Sequence, residues 1–202
     1  EKRHVACGAK WFRFLCERDG LMPEPTFHAL VRRHFRGPIK PPFNNKALRE
    51  AVDAVIDREV LSRVVFFNLE PGTASPFPSF SPAYIPTITV QKPNLELARQ
   101  KLRQAGVSNF SFTLTTIARS PEREFTQAIQ AMAAAAGITI RIDAVDVGEY
   151  LRRNNALEHE AVTFQWSGGP DPDNNMFDHF VTKGPFNWAG YSNKEVDAAL
   201  TQ

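Results

Sequence analysis

The sequence has little cysteine, almost no excess of charge of either sign and no long apolar run. Its two cysteines, Cys7 and Cys16, can pair or stay free, and two are too few to reveal a redox compartment. Because 24 basic and 22 acidic residues leave a formal net charge of +2, no global field points to nucleic acid or to an anionic membrane. No eighteen consecutive residues are apolar, so the sequence predicts no membrane-spanning helix. We expect a soluble chain with no nucleic-acid partner.

The first ten residues, EKRHVACGAK, lack the combined basic start, apolar stretch and small-residue cleavage site of a secretory signal. The sequence also opens without Met and ends inside a predicted helix, so we expect it to be a piece of a longer polypeptide. Its 202 residues, 43% of them hydrophobic, suffice for one domain or one and a half with a real core.

Residues 1–37 differ in composition from residues 38–202. Residues 1–36 hold both cysteines, three of the five histidines, and eight basic against four acidic residues. Two Cys followed by two His can form a zinc site, but eight residues separate the cysteines, where a zinc finger has two to four. We therefore predict an atypical N-terminal segment, poorly ordered or foreign, over residues 1–37. The ligands of the disfavoured zinc site would be Cys7, Cys16, His28 and His34.

After the connector GPIKPPFNN, the sequence becomes regular. Asn45 is predicted to cap one helix, whose apolar positions recur at three- and four-residue steps as far as Val65. A proline-rich, irregular segment follows over residues 68–93, and Asn94 is predicted to cap a short helix that Gly106 ends. The residues expected to anchor the irregular segment are Phe77, Phe80 and Tyr84.

The next section alternates strands with helices. Because consecutive strands joined by helices are connected by crossovers, we predict a mainly parallel sheet in an α/β layer. Ligands of such sheets gather at the carboxyl ends of the strands. The predicted strands begin at Phe110, Ile138 and Ala161, the last of them ending at Trp166, and the helices between them are marked by Ser120-Pro121 with Gly137, and by Val147, Tyr150 and Leu151.

The loop that leaves the third predicted strand reads WSGGPDPDNN, residues 166–175, and it allows several chemical interpretations. Asp171, Asp173 and Asn175 stand at the first, third and fifth places of a calcium loop. Calcium is nevertheless disfavoured, because Met176 stands where the loop needs Gly and Thr182 where it needs Glu. An acid/base enzyme would use the carboxylate pair of Asp171 and Asp173, but no nucleophile or His with a recognisable spacing joins them. The structural alternative makes Asp173 a helix N-cap. A Trp beside two glycines suits stacking or a peptide-like ligand.

Three segments together strongly resemble the periplasmic solute-binding proteins of peptide, nickel and glutathione ABC importers, the bacterial extracellular solute-binding protein family 5. The resemblance covers residues 38–202 in the family's order. It implies a periplasmic-binding-protein-like (class II) α/β lobe, with a mainly parallel sheet flanked by helices, as a partial C-terminal lobe. The segments are PPFNNKALREAVDAVIDREVL, NLELARQKLRQAG, and WSGGPDPDNN with GPFNWAGYSNKEVDAAL.

The resemblance implies a receptor and not an enzyme: an extracytoplasmic or periplasmic monomer that captures a peptide or peptide-like solute and delivers it to an ABC permease. It implies no cofactor, no metal and no catalytic residue. Many peptide binders carry Asp where this chain has Gly169, and a glutathione-binding branch carries Arg there, so the ligand stays open. The alternatives are an α/β hydrolase-like enzyme using Asp171 and His179, or a non-functional truncated product. The residues expected to bind ligand are Trp166, Ser167, Gly168, Gly169 and Asp171.

Overall fold

The computed structural model describes residues 18, 41–69, 71–74, 77, 79, 81, 84–165 and 172–201, with backbone only over 172–175. The chain divides into two compact units between Gly37 and Pro38. All the helices and strands named below belong to the unit Pro38–Gln202.

The apolar stretch after Asn45 forms two helices, so the prediction of a single helix is wrong. Helix α1 spans Lys46–Asp53, and helix α2 spans Arg58–Val65. As predicted, Asn45 caps the first, its Oδ1 accepting a hydrogen bond from the Ala47 amide at 2.9 Å. The chain breaks because Asp57 leaves helical geometry to cap the second helix, its Oδ1 accepting from the amide of Val60 at 2.9 Å.

Helix α3, Leu95–Gln104, begins and ends as the sequence predicts. The Asn94 side chain accepts from the Leu97 amide at 2.9 Å, and Gly106 takes a positive φ of 70° just after the helix. The helix packs against α1, and Lys101 forms an ion pair with Glu50 across the contact, at 2.7 Å.

The sheet is parallel, which confirms the predicted architecture. Strand β1 spans Phe110–Ile117, β2 spans Ile138–Val145 and β3 spans Ala161–Val162, in the spatial order β2-β1-β3. Helix α4, Glu122–Ala134, connects β1 to β2, and helix α5, Val147–Asn155, connects β2 to β3. The loops that lead from β1 into α4 and from β2 into α5 therefore lie at the same carboxyl edge of the sheet.

The third strand is shorter than predicted. It ends at Val162 rather than at Trp166, because it pairs only with Leu114 and Thr115 of β1. One more backbone bond, from the Thr163 amide to the carbonyl of Thr115 at 3.1 Å, continues the contact beyond the strand. The described chain then leaves the sheet through residues 163–165.

The hydrophobic core lies where the sheet meets α1, α2, α3 and α4. Phe112 is almost fully buried, and the half-buried Phe43 closes over it edge-on, with ring centroids 4.7 Å apart. The alternation predicted for β1 and β2 puts their apolar side chains into this core. The buried sheet residues are Phe110, Phe112, Leu114, Ile138 and Ile140, and the main helical ones are Leu48, Ala51, Leu61, Ala98, Leu102, Ile129 and Ala133.

Three of the expectations concern anchors of the irregular segment between α2 and α3. Phe77 is buried, which confirms its role as an anchor, and Tyr84 is half-buried. Phe80 lies outside the described residues.

Over the part of the chain that the structure describes, no helix is both long and apolar enough to cross a membrane.

Two helices follow the sheet. Helix α6 spans Pro172–Phe180, and helix α7 spans Lys194–Leu200. Because α6 already begins at Pro172, Asp173 lies inside its first turn, and the prediction that it is the N-cap is wrong. Asn193 caps α7, and Asp197 of α7 accepts two hydrogen bonds from Thr182, one from the amide at 2.7 Å and one from the hydroxyl at 2.6 Å.

Candidate functional site

A cavity of about 260 Å³ lies at the carboxyl edge of the sheet, where ligands of parallel sheets are expected. Each strand contributes the residues that follow it: the β1–α4 connection, the first turns of α5 and the segment after β3. Apolar side chains make up most of its walls. The lining residues are Phe66, Ile117, Arg119, Pro121, Glu122, Phe125, Val147, Tyr150, Leu151, Thr163, Phe164, Gln165 and Trp188.

Arg119 and Glu122 provide the charges of this cavity. Arg119 follows β1, and Glu122 is the first residue of α4. Both Nε, at 3.0 Å, and Nη2, at 2.8 Å, of the guanidinium donate to the same carboxylate oxygen, Oε1. This bonding raises the pKa of Arg119, so the guanidinium stays charged. The Arg119 side chain is 58% exposed, and that of Glu122 is 8% exposed.

Tyr150 closes another part of the wall with a neutral phenol. Its hydroxyl donates to the carbonyl oxygen of Thr163, so α5 is attached to the chain leaving β3. Burial raises the pKa of Tyr150 to about 12, so the phenol remains protonated across the physiological range. The Thr163 hydroxyl also donates to Thr116 of β1 at 2.8 Å, which fixes the exit of β3 against the central strand.

An aromatic cluster completes the wall. The Trp188 ring meets Tyr150 edge-on with centroids 6.1 Å apart, and it meets Phe164 and Phe186 in the same manner at 5.0 and 5.9 Å. Trp188 and Phe164 also line a second cavity of about 670 Å³, whose other walls include Phe112 and Leu114 of β1. The aromatic cluster therefore separates two apolar spaces.

His179 belongs to this aromatic cluster and to the larger cavity. Its imidazole stacks on Phe186 at 5.7 Å and lies 5.3 Å from the ring of Phe164. Burial lowers the pKa of His179. Asp171, the partner that the hydrolase-like alternative assigns to it, lies outside the described residues.

The residues predicted to bind ligand all lie outside the part that the structure describes: Trp166, Ser167, Gly168, Gly169 and Asp171. Gln165, which directly precedes them in sequence, lines the cavity. The disfavoured zinc and calcium sites also lie outside the described part of the chain. The zinc ligands would be Cys7, Cys16, His28 and His34, and the calcium ligands would be the side chains of Asp171, Asp173 and Asn175. Among described residues, no three His, Cys, Asp or Glu side chains form a metal-binding group.

Sequence reasoning missed Arg119, Glu122 and Trp188 as site residues. A signal was present for the first two, because a basic residue after a strand and an acidic residue at the following helix start meet at the carboxyl edge. The cavity is therefore apolar except for the Arg119–Glu122 pair, and the guanidinium of this pair is half-exposed. Such a cavity suits a small solute that carries a carboxylate.

Residues 20–188 match the family described as bacterial extracellular solute-binding proteins, family 5 Middle. The di/tripeptide-binding protein 3 of Pseudomonas aeruginosa is 30% identical over 141 residues, covering 66% of this chain and 26% of the relative. The nickel-binding protein NikA of Staphylococcus aureus is 29% identical over 164 residues, covering 78% of this chain and 33% of the relative. The chain thus spans about a quarter to a third of the length of these relatives.

Solved structures show the same fold. The ABC transporter-associated periplasmic binding protein DppA of Helicobacter pylori, in complex with the peptide STSA, superposes with a TM-score of 0.72 at 28% identity, over 80% of this chain and 33% of that chain. The predicted fold class, a lobe like those of class II periplasmic binding proteins, is confirmed.

Proposed function

We propose a ligand-capturing function for this chain, which belongs to the bacterial extracellular solute-binding proteins of family 5. In this proposal the chain forms part of the C-terminal lobe of a substrate-binding protein of an ABC importer. The lobe takes up a peptide or peptide-like solute and delivers it to the membrane permease. The relatives are named as a di/tripeptide-binding protein and a nickel-binding protein, which supports a role in binding.

The observation that carries the proposal is the cavity at the carboxyl edge of the sheet. Its apolar walls suit the side chains of a short peptide, and the guanidinium of Arg119 suits the peptide's carboxylate. Arg presents paired N–H groups in a planar fork, a geometry that matches a carboxylate better than the ammonium of Lys does. We therefore assign the ligand's carboxylate to Arg119.

The proposed site includes the residues that follow Gln165 in the sequence. Trp166, Ser167, Gly168 and Gly169 would extend the cavity wall as a flat indole surface beside open backbone, and Asp171 would add a carboxylate. Support comes from Gln165, since the cavity wall already includes the residue directly before this run.

The proposed location is the periplasm or another extracytoplasmic compartment, and the proposed working form is a monomer that meets its permease. Support for the location comes from the family description, which names extracellular proteins, and from the Helicobacter protein, which is a periplasmic binding protein.

Calorimetric titration of the full-length polypeptide tests the function. The probes are dialanine, trialanine, glutathione and nickel with L-histidine. We expect at least one of the peptide probes to bind, and mass spectrometry of the recovered peptide to show it unchanged, as a receptor requires. Loss of affinity by roughly tenfold or more is expected in Arg119→Ala, because charge-assisted hydrogen bonds to a carboxylate are lost.

The matched control is Arg123→Ala, since Arg123 is an exposed cation in the first turn of α4, four residues after Arg119, and does not line the cavity. Its affinity should equal that of the wild type. Absence of binding for every probe, or hydrolysis of the bound peptide, would contradict the proposed function.

A further inference from the structure

The ion pair in the cavity is asymmetric. The carboxylate of Glu122 is buried, with 8% of the side chain exposed, whereas the guanidinium of Arg119 is 58% exposed. The buried partner is held in position by the packing around it, and the exposed partner alone would move freely. The pair therefore fixes a mobile cation to a rigid anion.

The geometry of the bonds leaves part of the guanidinium available. Nε and Nη2 of Arg119 both donate to Oε1 of Glu122, and Nη1 makes no hydrogen bond within the described part of the chain. The carboxylate is in turn placed at the first residue of α4, where the positive end of the helix dipole favours an anion. Its second oxygen, Oε2, is buried and accepts no hydrogen bond from any described group.

We propose that Glu122 is a positioning residue, which orients Arg119 so that the guanidinium meets the carboxylate of a bound peptide. This inference rests on the proposed function, because it gives a role to a second residue of the same cavity. An unattached Arg side chain loses much rotamer freedom when it binds, and one already held by Glu122 loses less. Positioning therefore increases the affinity for a carboxylate.

Glu122 has a second effect of the opposite sign. Its negative charge partly cancels the charge of Arg119 and so weakens the attraction for an anionic group. Two substitutions separate these effects. Glu122→Gln keeps an oxygen that accepts the Arg119 hydrogen bonds but removes the charge, whereas Glu122→Ala removes both the acceptor and the charge.

The experiment compares the affinity for trialanine with that for trialanine amide, measured by calorimetry on the full-length polypeptide. The amide carries a neutral carboxamide in place of the carboxylate, so the ratio of the two affinities reports the Arg119 interaction. We expect the wild type to prefer the free acid, and Glu122→Gln to keep or increase this preference. In Glu122→Ala the preference should be roughly tenfold lower than in Glu122→Gln, because both variants lack the charge and only Glu122→Ala also lacks the acceptor, so that Arg119 regains its rotamer freedom.

Glu124 supplies the matched control, because it lies in the same first turn of α4 but is exposed and outside the cavity wall. The Glu124→Gln and Glu124→Ala variants should both keep the wild-type preference. Circular dichroism checks the fold of every variant. If Glu122→Ala does not fold, Glu122→Asp replaces it, since the shorter side chain keeps the charge but withdraws the acceptor, and the preference should again fall.

Each outcome decides a separate point. Equal preferences in the folded Glu122→Ala and Glu122→Gln variants would overturn the positioning role, as would an unchanged preference in Glu122→Asp. A wild type that binds both probes equally would also overturn it, while leaving peptide capture intact. A wild type that binds no peptide at all would contradict the proposed function itself.

Discussion

The indole Nε1 of Trp188 donates a hydrogen bond to Oδ1 of Asn155 at 3.1 Å. This contact joins the segment between α6 and α7 to the last residue of α5, across 33 positions of the chain. It holds the Trp188 ring against Tyr150, at the wall that separates the two cavities. The aromatic wall is therefore fixed at one end by a polar bond and elsewhere by packing.

Substituting alanine for Trp188 or for its hydrogen-bond partner Asn155 should destabilise the protein, the first substitution more than the second. Trp188→Ala should lower the free energy of unfolding by about 3 kcal/mol, because a large buried aromatic is lost and a void remains. Asn155→Ala should cost about 1 kcal/mol or less, because it removes one hydrogen bond of an exposed residue. Urea denaturation followed by fluorescence and circular dichroism measures both, and equal midpoints for the two variants would contradict the order.

The break between α1 and α2 leads to a second prediction. Asp57→Ala should cost about 1 kcal/mol, because the first turn of α2 loses the acceptor for the Val60 amide. Asp53 is the matched control: its carboxylate pairs with Arg58 at 2.7 Å, but the side chain is 61% exposed, so Asp53→Ala should change stability little. Thermal unfolding of both variants tests this contrast, which fails if Asp53→Ala is the more destabilising.

The same break shows why the helix prediction failed. Apolar residues recur at helical spacing from Ala47 to Val65, so the spacing alone gives no boundary. The boundary depends on whether Asp57 folds back onto the Val60 amide, and this is favoured by a tertiary contact, the Asp57 amide donating to Sδ of Met132 at 3.4 Å. Local caps such as Asn94 were predictable because their partners lie within the same turn.

In the candidate site, too, the features set by local sequence patterns could be predicted, and those set by contacts between distant residues could not. The parallel sheet and its carboxyl edge could be predicted, because strand alternation and helical connections are local patterns. The pairing of Arg119 with Glu122 was also within reach of the sequence, being three residues apart. The contribution of Trp188 was not, since its place in the cavity wall depends on contacts with Asn155, Tyr150 and Phe164, which lie far from it in sequence.

Two glycines should respond to alanine for different reasons. In Gly184→Ala the new Cβ would lie 2.4 Å from the carbonyl oxygen of Asp178, so the backbone near Trp188 must shift, at a cost of about 3 kcal/mol. Gly106 has open space around it but a φ of +70°, so Gly106→Ala should cost only about 1 kcal/mol of backbone strain.

Denaturation midpoints rank the two glycine variants. Tryptophan fluorescence should also change in Gly184→Ala, because the turn that carries Trp188 moves, and it should not change in Gly106→Ala. A Gly184→Ala protein as stable as the wild type would show that the approach to Asp178 is looser than the distance indicates.

His179 should make stability depend on pH in the range where histidine titrates. Its imidazole contacts the rings of Phe164 and Phe186, and burial lowers its pKa below the ordinary value of 6.5. Between the lowered pKa and 6.5 the unfolded chain binds a proton that the folded chain does not, so stability falls as the pH decreases through this window. Above the window, and below the lowered pKa, His179 contributes no slope.

We expect the urea midpoint of the wild type to decrease when the pH is lowered from 7.5 to 5.5. The decrease should be smaller in His179→Phe, which keeps an aromatic ring but removes the titrating group. Phe180→Leu is the control, because it changes a neighbouring aromatic of α6 and leaves His179 in place; its pH dependence should equal that of the wild type. Because His179 is only partly buried, solvent reduces the size of the effect, and the test depends on the difference between the two slopes. Identical slopes in His179→Phe and the wild type would show that the imidazole keeps its ordinary pKa despite the surrounding rings.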